Sequence, residues 1–177
     1  MGPGRDGGGA HVVPVQPVLA CVRDTVAQFG ELDLAAVQMV LPVRTSAPSR
    51  MHLLTGLNWF AVADPAARTT VRVTLDSGDD AVRRAASDIL AAVGPDRAIA
   101  LFRVERVSPS PSPALTEPAV VDDTWMGPTR NPVTFDCSVP EWSLDAVGWW
   151  GALFVDGCGE AGVRTTVLLD VAPSPTA

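Results

Sequence analysis

Apolar residues recur along this chain with two different periods, and the changes of period divide it into elements. From Pro17 to Gly30, Leu19, Val22, Val26 and Phe29 return at helical spacing while Arg23, Asp24 and Gln28 fall elsewhere. Pro17 suits a first turn and Gly30 a helix end, so the pattern predicts an amphipathic helix over 17–30. A second helix is predicted after Ser77, with Asp79 and Asp80 in its first turn and Gly94-Pro95 as its stop. Its apolar side is Val82, Ala85, Ala86, Ile89 and Val93. A third, short helix is predicted from the capping box Ser138-x-x-Glu141, with Pro140 in the first turn and Gly148 as its limit.

Runs rich in Val, Thr, Leu and Phe read as strands over 34–43, 57–63, 69–75, 99–107, 133–137, 149–155 and 163–171. Two hairpins are expected, turning at Asp64-Pro65-Ala66-Ala67 and from Asp156-Gly157-Cys158-Gly159 onward. The expected fold is therefore α+β: a mainly antiparallel sheet with two amphipathic helices and one short capped helix on one face. The alternative is an open α/β sandwich in which the helix over 78–93 links strands 69–75 and 99–107 as a parallel crossover. The order helix, strand, hairpin occurs twice, and Arg68-Thr69-Thr70-Val71 matches Arg164-Thr165-Thr166-Val167. That order suggests a pseudo-duplicated unit, with halves at 11–76 and 77–172.

Residues 1–10 are rich in Gly, and residues 173–177 close the chain in Pro, Ser and Thr, so both read as disordered tails. Residues 11–107 and 133–172 are expected to form one domain, interrupted by a Pro/Ser-rich linker or loop at 108–132.

Composition narrows the chemistry. Lysine is absent, so all 13 basic residues are Arg; tyrosine is absent too, and only His11 and His52 represent histidine. These absences disfavour lysine Schiff bases, tyrosine acids and three-histidine metal sites. The net charge of −7 is uneven: residues 108–177 carry nine acids and two Arg, while the rest balances. That acidic third disfavours nucleic acid as a partner. Cys21, Cys137 and Cys158 are widely spaced and form no metal pattern. With no secretory h-region and no apolar run of ~18 residues, reduced thiols in a cytoplasmic protein are expected, without cofactor or metal.

Each candidate reactive residue has a plain structural explanation. Cys137 precedes the predicted third helix and could be an activated thiol, but also reads as a small buried strand residue. Cys158 falls at a predicted hairpin tip, where it reads as a surface cysteine. His52 could serve as a general base only with a partner that no spacing supplies. Asp79-Asp80 suit a helix start, and Asp122-Asp123 lie in the linker.

The tryptophans form the principal candidate surface. Trp142, Trp149, Trp150 and Phe154 lie close together, Trp59 holds the corresponding place in the first hairpin, and Trp125 could cap them from the linker. On a strand, Trp149 and Trp150 would point to opposite sides, one to the core and one to a ligand or partner. Ordinary core filling is the competing explanation. The expected function is a non-catalytic interaction or regulatory protein, self-associating or binding an unknown protein. The alternative is a small-molecule binding protein or small enzyme with a Trp-lined apolar pocket and a carboxylate acid/base.

Overall fold

A computed structural model describes residues 15–30, 33–43, 62–64, 66–94, 102–109 and 131–174. They form helix α1 (Val15–Val26, continued by a 3₁₀ turn over Ala27–Phe29), strand β1 (Val37–Pro42), β2 (Thr69–Asp76), α2 (Ala81–Val93), β3 (Arg103–Pro109), β4 (Val133–Val139), α3 (Leu144–Glu160) and β5 (Thr166–Pro173). The five strands make one sheet in the order β1-β5-β2-β4-β3, antiparallel at every pairing. The fold is α+β.

From β2 onward the chain runs β-α-β-β-α-β, the split β-α-β arrangement. β2 and β3 point the same way across α2, but β4 lies between them, so the parallel pair of the alternative fold does not form. α3 likewise links β4 to β5 across β2, and β1 extends the sheet beyond β5.

Local chemistry accounts for the helix ends. At α2, the Ser77 hydroxyl accepts from the Val82 amide at 3.2 Å, and Asp79 Oδ1 accepts from the Ala81 amide at 2.9 Å. The Ser77 hydroxyl donates to Asp79 at 2.7 Å and, with the Ala81 amide, holds that carboxyl below its ordinary pKa. Asp80 pairs with Arg84 one turn on. Gly94 follows the last turn, as expected from sequence.

The third helix differs most from expectation. It is the longest of the helices, and it contains residues 149–155, predicted as a strand, and 156–159, predicted as a hairpin turn. Its N-cap is Ser143, which accepts from the Ala146 amide at 3.2 Å, whereas Ser138 lies within β4. The physical reason is that apolar residues fall on every side of α3, among them Trp149 on the side of its three acids, so it lacks the one-sided pattern of a surface helix. α3 lies between the other two helices, and its glycines face them. A Cβ on Gly148 would sit 3.2 Å from Gln16 Cα, and one on Gly151 would sit 2.8 Å from Val15 Cγ1, both on α1. A Cβ on Gly157 would sit 2.8 Å from Val93 Cγ1 of α2. These glycines are where helices approach, not where the chain turns.

The core lies between this helical layer and one face of the sheet. Val71, Val73, Leu75, Phe135, Cys137, Leu169 and Val171 meet Ile89, Val93, Trp150 and Phe154 there. The expected strand over 57–63, most of the 108–132 segment and both tails lie largely outside the described residues. So does one arm of the first expected hairpin, and with it the comparison of the two halves; where its turn was expected, Ala67 N–H donates to the Asp64 carbonyl at 3.2 Å.

Candidate functional site

Trp149, Trp150 and Phe154 are all essentially fully buried. On a helix they project less than half a turn apart, and all are covered because α3 is flanked by α1 and α2 and packs on the sheet. Trp150 packs edge-on against Phe102, with ring centres 5.1 Å apart, and against Phe154 at 5.3 Å. Phe154 in turn contacts Phe135 of β4 at 5.0 Å. These rings tie α3 to the sheet. The Trp150 indole N–H has no hydrogen-bond partner among the described residues. Trp142 is half-buried and donates to the Leu34 carbonyl at 2.5 Å, fastening the segment before β1 to the start of α3. Trp59 and Trp125, like His11 and His52, lie outside the described residues.

The thiols divide into two kinds. Cys137 points to the helix side of β4, fully buried, and donates weakly to the Phe135 carbonyl at 3.5 Å. Burial, then Asp136 and Glu105, pushes its pKa well above the ordinary value. Cys158 is buried in α3 rather than exposed at a hairpin tip, and burial pushes it up to about 12. Both are protonated core residues at neutral pH. Cys21 on α1 is exposed.

The second face of the sheet mixes polar and apolar residues. Gln38, Asp170, Thr74 and Thr134 occupy one register row across four strands, and Val40, Leu168 and Asp76 occupy another. A third row holds Ala172, Arg72, Asp136 and Arg106, with Arg106 Nε donating to Asp136 at 2.9 Å. Asp170, Thr74 and Asp76 are buried although they face away from the helices. Asp76 Oδ1 accepts from the amides of Gly78 at 2.8 Å and Asn131 at 3.1 Å. Among the described residues, no group of three or more His, Cys, Asp or Glu is arranged to hold a metal ion. A groove of about 250 Å³ runs between α2 and the end of α3, lined by Ala81, Arg84, Ala85, Asp88, Ala161, Gly162 and Val163, with no aromatic side chain.

The feature left without a structural role is on α1. Val15 and Leu19 pack against α3, but Val18 and Val22 are 51% and 41% exposed, and Phe29 is 79% exposed. Val22 and Phe29 were expected on the packed side with Leu19. Apolar residues at 15, 18, 19, 22, 26 and 29 span about 100° of the helix surface, the ordinary width of a core-facing side, so residue order does not separate the covered part from the exposed part. α1 is held in this orientation by Arg23, whose Nη1 donates to both oxygens of Asp145 at 2.7 and 2.6 Å. Arg23 also donates to Asp24, and these contacts, Asp145 foremost, raise its pKa further.

Comparison with family models, curated proteins and solved structures finds no match to this chain. No helix among the described residues is long and apolar enough to cross a membrane.

Proposed function

We propose that this is a non-catalytic interaction or regulatory protein that binds through the outward side of α1. The observation that carries the reading is the exposure of Val18, Val22 and Phe29 on a helix that is fixed in place. Exposed apolar side chains cost little singly, but a row of them on an ordered helix is the usual mark of a contact surface. The remaining chemistry is consistent with a scaffold role. The buried thiols are held protonated, and the indoles of α3 are spent on packing.

The test is site-specific photo-crosslinking in cells, with a photoreactive phenylalanine analogue at position 18 or, as a control, at exposed position 83 on α2. The expected result is a discrete protein adduct from position 18 and none from position 83. Absence of any adduct from position 18, with the protein folded and expressed, refutes the reading.

A further inference from the structure

A second cluster of polar groups lies on the face of the sheet that points away from the helices. Pairing of β2 with β4 sets Arg72 opposite Asp136 and Thr70 opposite Ser138. Pairing of β3 with β4 sets Arg103 opposite Ser138 and Arg106 opposite Asp136. Strand alternation turns these side chains outward together, because Val71, Val73, Phe135 and Cys137 between them face the core.

Two buried polar atoms in this cluster lack a hydrogen bond. Arg72 Nε and Ser138 Oγ have no partner among the described residues, and Ser138 is only 2% exposed. Asp136, directly across from Arg72, is already taken by Arg106 Nε at 2.9 Å. A buried polar group left unsatisfied costs about 1–3 kcal/mol. Such groups are few in folded proteins, and an ion bound beside them is one recognised explanation.

The two groups are within reach of one another. They sit diagonally across β2 and β4, where side chains start roughly 7 Å apart and an arginine spans the gap. Arg103 faces Ser138 from the other side, at a spacing of about 5 Å. The hydroxyl is therefore flanked by a guanidinium on each side. Asp170 and Thr74 on the same face are buried, whereas Thr70 and Arg103 are exposed, so the cluster lies where covered sheet gives way to open sheet.

Local charge runs against that of the chain. The protein carries −7 overall, yet Arg106 and Asp136 cancel here and leave Arg72 and Arg103 around Ser138. Of the other acids nearby, Asp170 lies one row away with an interaction partner of its own, and Glu105 is exposed at the β3 bulge, where solvent screens it. From this arrangement we infer that Arg72, Ser138 and Arg103 form a site for the phosphate group of a small phosphomonoester. A phosphate dianion brings two negative charges to two guanidinium groups, and an oxygen to which the buried hydroxyl donates. A carboxylate is planar and singly charged, and one guanidinium fork satisfies it. The ester substituent lies toward the exposed Thr70 side.

The test is ligand-observed NMR of the full chain at constant ionic strength and about pH 8, where a phosphomonoester is a dianion. The probes are phenyl phosphate, inorganic phosphate and benzoate. Phenyl phosphate should bind saturably with Kd of about 0.1–5 mM, and benzoate at least ~10-fold more weakly. Arg72→Gln and Arg103→Gln should each weaken phenyl phosphate at least ~10-fold, while Arg83→Gln on exposed α2 surface leaves it unchanged. Ser138→Ala should weaken binding about 5-fold yet leave the urea midpoint unchanged or higher, because it removes an unsatisfied buried hydroxyl. Far-ultraviolet circular dichroism confirms the fold of each variant. The site is overturned by an absence of saturable phenyl phosphate binding up to ~20 mM, by benzoate binding as tightly, or by binding that survives both arginine substitutions. Inorganic phosphate that binds where phenyl phosphate does not overturns the monoester as ligand. A Ser138→Ala variant that loses stability makes the hydroxyl structural and likewise overturns the site.

Discussion

Raising the pH should dismantle this protein through two side chains. Between about pH 9 and 12 most proteins titrate lysines and tyrosines, which obscure any single group. This chain has neither, so the buried thiols of Cys137 and Cys158 stand out across that window. Cys158 has an ordinary value of 9.0 and is pushed up to about 12 by burial in α3; Cys137 is raised in the same direction by burial, then Asp136 and Glu105. The sign follows directly. Above pH 9 the unfolded chain releases these protons while the folded chain keeps them, so the folded state binds more protons. Stability is fully present below pH 9 and falls as pH rises toward the folded values.

The slope is about 1.4 kcal/mol per pH unit for each thiol, because one pKa unit is worth that much. Cys158 alone, over the two units from pH 9 to 11, costs about 3 kcal/mol, and Cys137 adds to it in the same direction. That is a large part of the ~5–15 kcal/mol that holds a typical domain together. The assay is guanidinium denaturation followed by tryptophan emission at intervals of half a pH unit, with reductant present. Cys158→Ala should flatten the slope. Stability that stays flat from pH 9 to 11, or a Cys158→Ala variant with the wild-type slope, would refute the reasoning.

Other consequences concern packing. Gly151→Ala gains about 1 kcal/mol of helix propensity but drives a methyl to 2.8 Å from Val15 Cγ1, an overpacking cost of about 1–3 kcal/mol, for a net loss of about 1 kcal/mol. Adding Val15→Ala should relieve part of that clash, so a double-mutant cycle that is purely additive would exclude the contact. Gly162 has φ +83° and open space around it, so Gly162→Ala should cost about 1 kcal/mol by backbone strain alone, measured as a shift in the urea midpoint. Asp145→Ala should cost about 1 kcal/mol, since Arg23 is half exposed, and should lower amide protection in α1 more than in α2 by hydrogen exchange. Trp150→Phe loses ring volume but also removes an indole N–H with no partner among the described residues. It should change calorimetric stability by less than about 1.5 kcal/mol, against about 3–5 kcal/mol for Trp150→Ala.

The parts of the fold that could be read from sequence are those with one wet side and one dry side. α1, α2 and β2 end within a few residues of their expected limits, because alternation between core and solvent is written in the residue order. α3 was not legible, since Val147 to Val155 is an unbroken apolar run that suits a buried helix or a strand equally. Gly157 and Gly159 tilted the reading toward a turn, whereas Gly157 is needed for the approach of Val93. The α1 row failed for a different reason. Periodicity tells which residues share a side of a helix, but not how much of that side a neighbour will cover.

The strand order has a consequence for how the chain is made. β5, the last strand, lies between β1 and β2, which precede it by about a hundred residues in synthesis. On the ribosome, β2, α2, β3 and β4 can assemble as they emerge, while β1 has its only pairing partner among the described strands still untranslated. The sheet closes in a single late event, when β5 slots between two waiting edges and brings α3 down beside α1. A ribosome stalled before Thr166 would thus carry a nascent chain with two unpaired strand edges, a natural client for a chaperone.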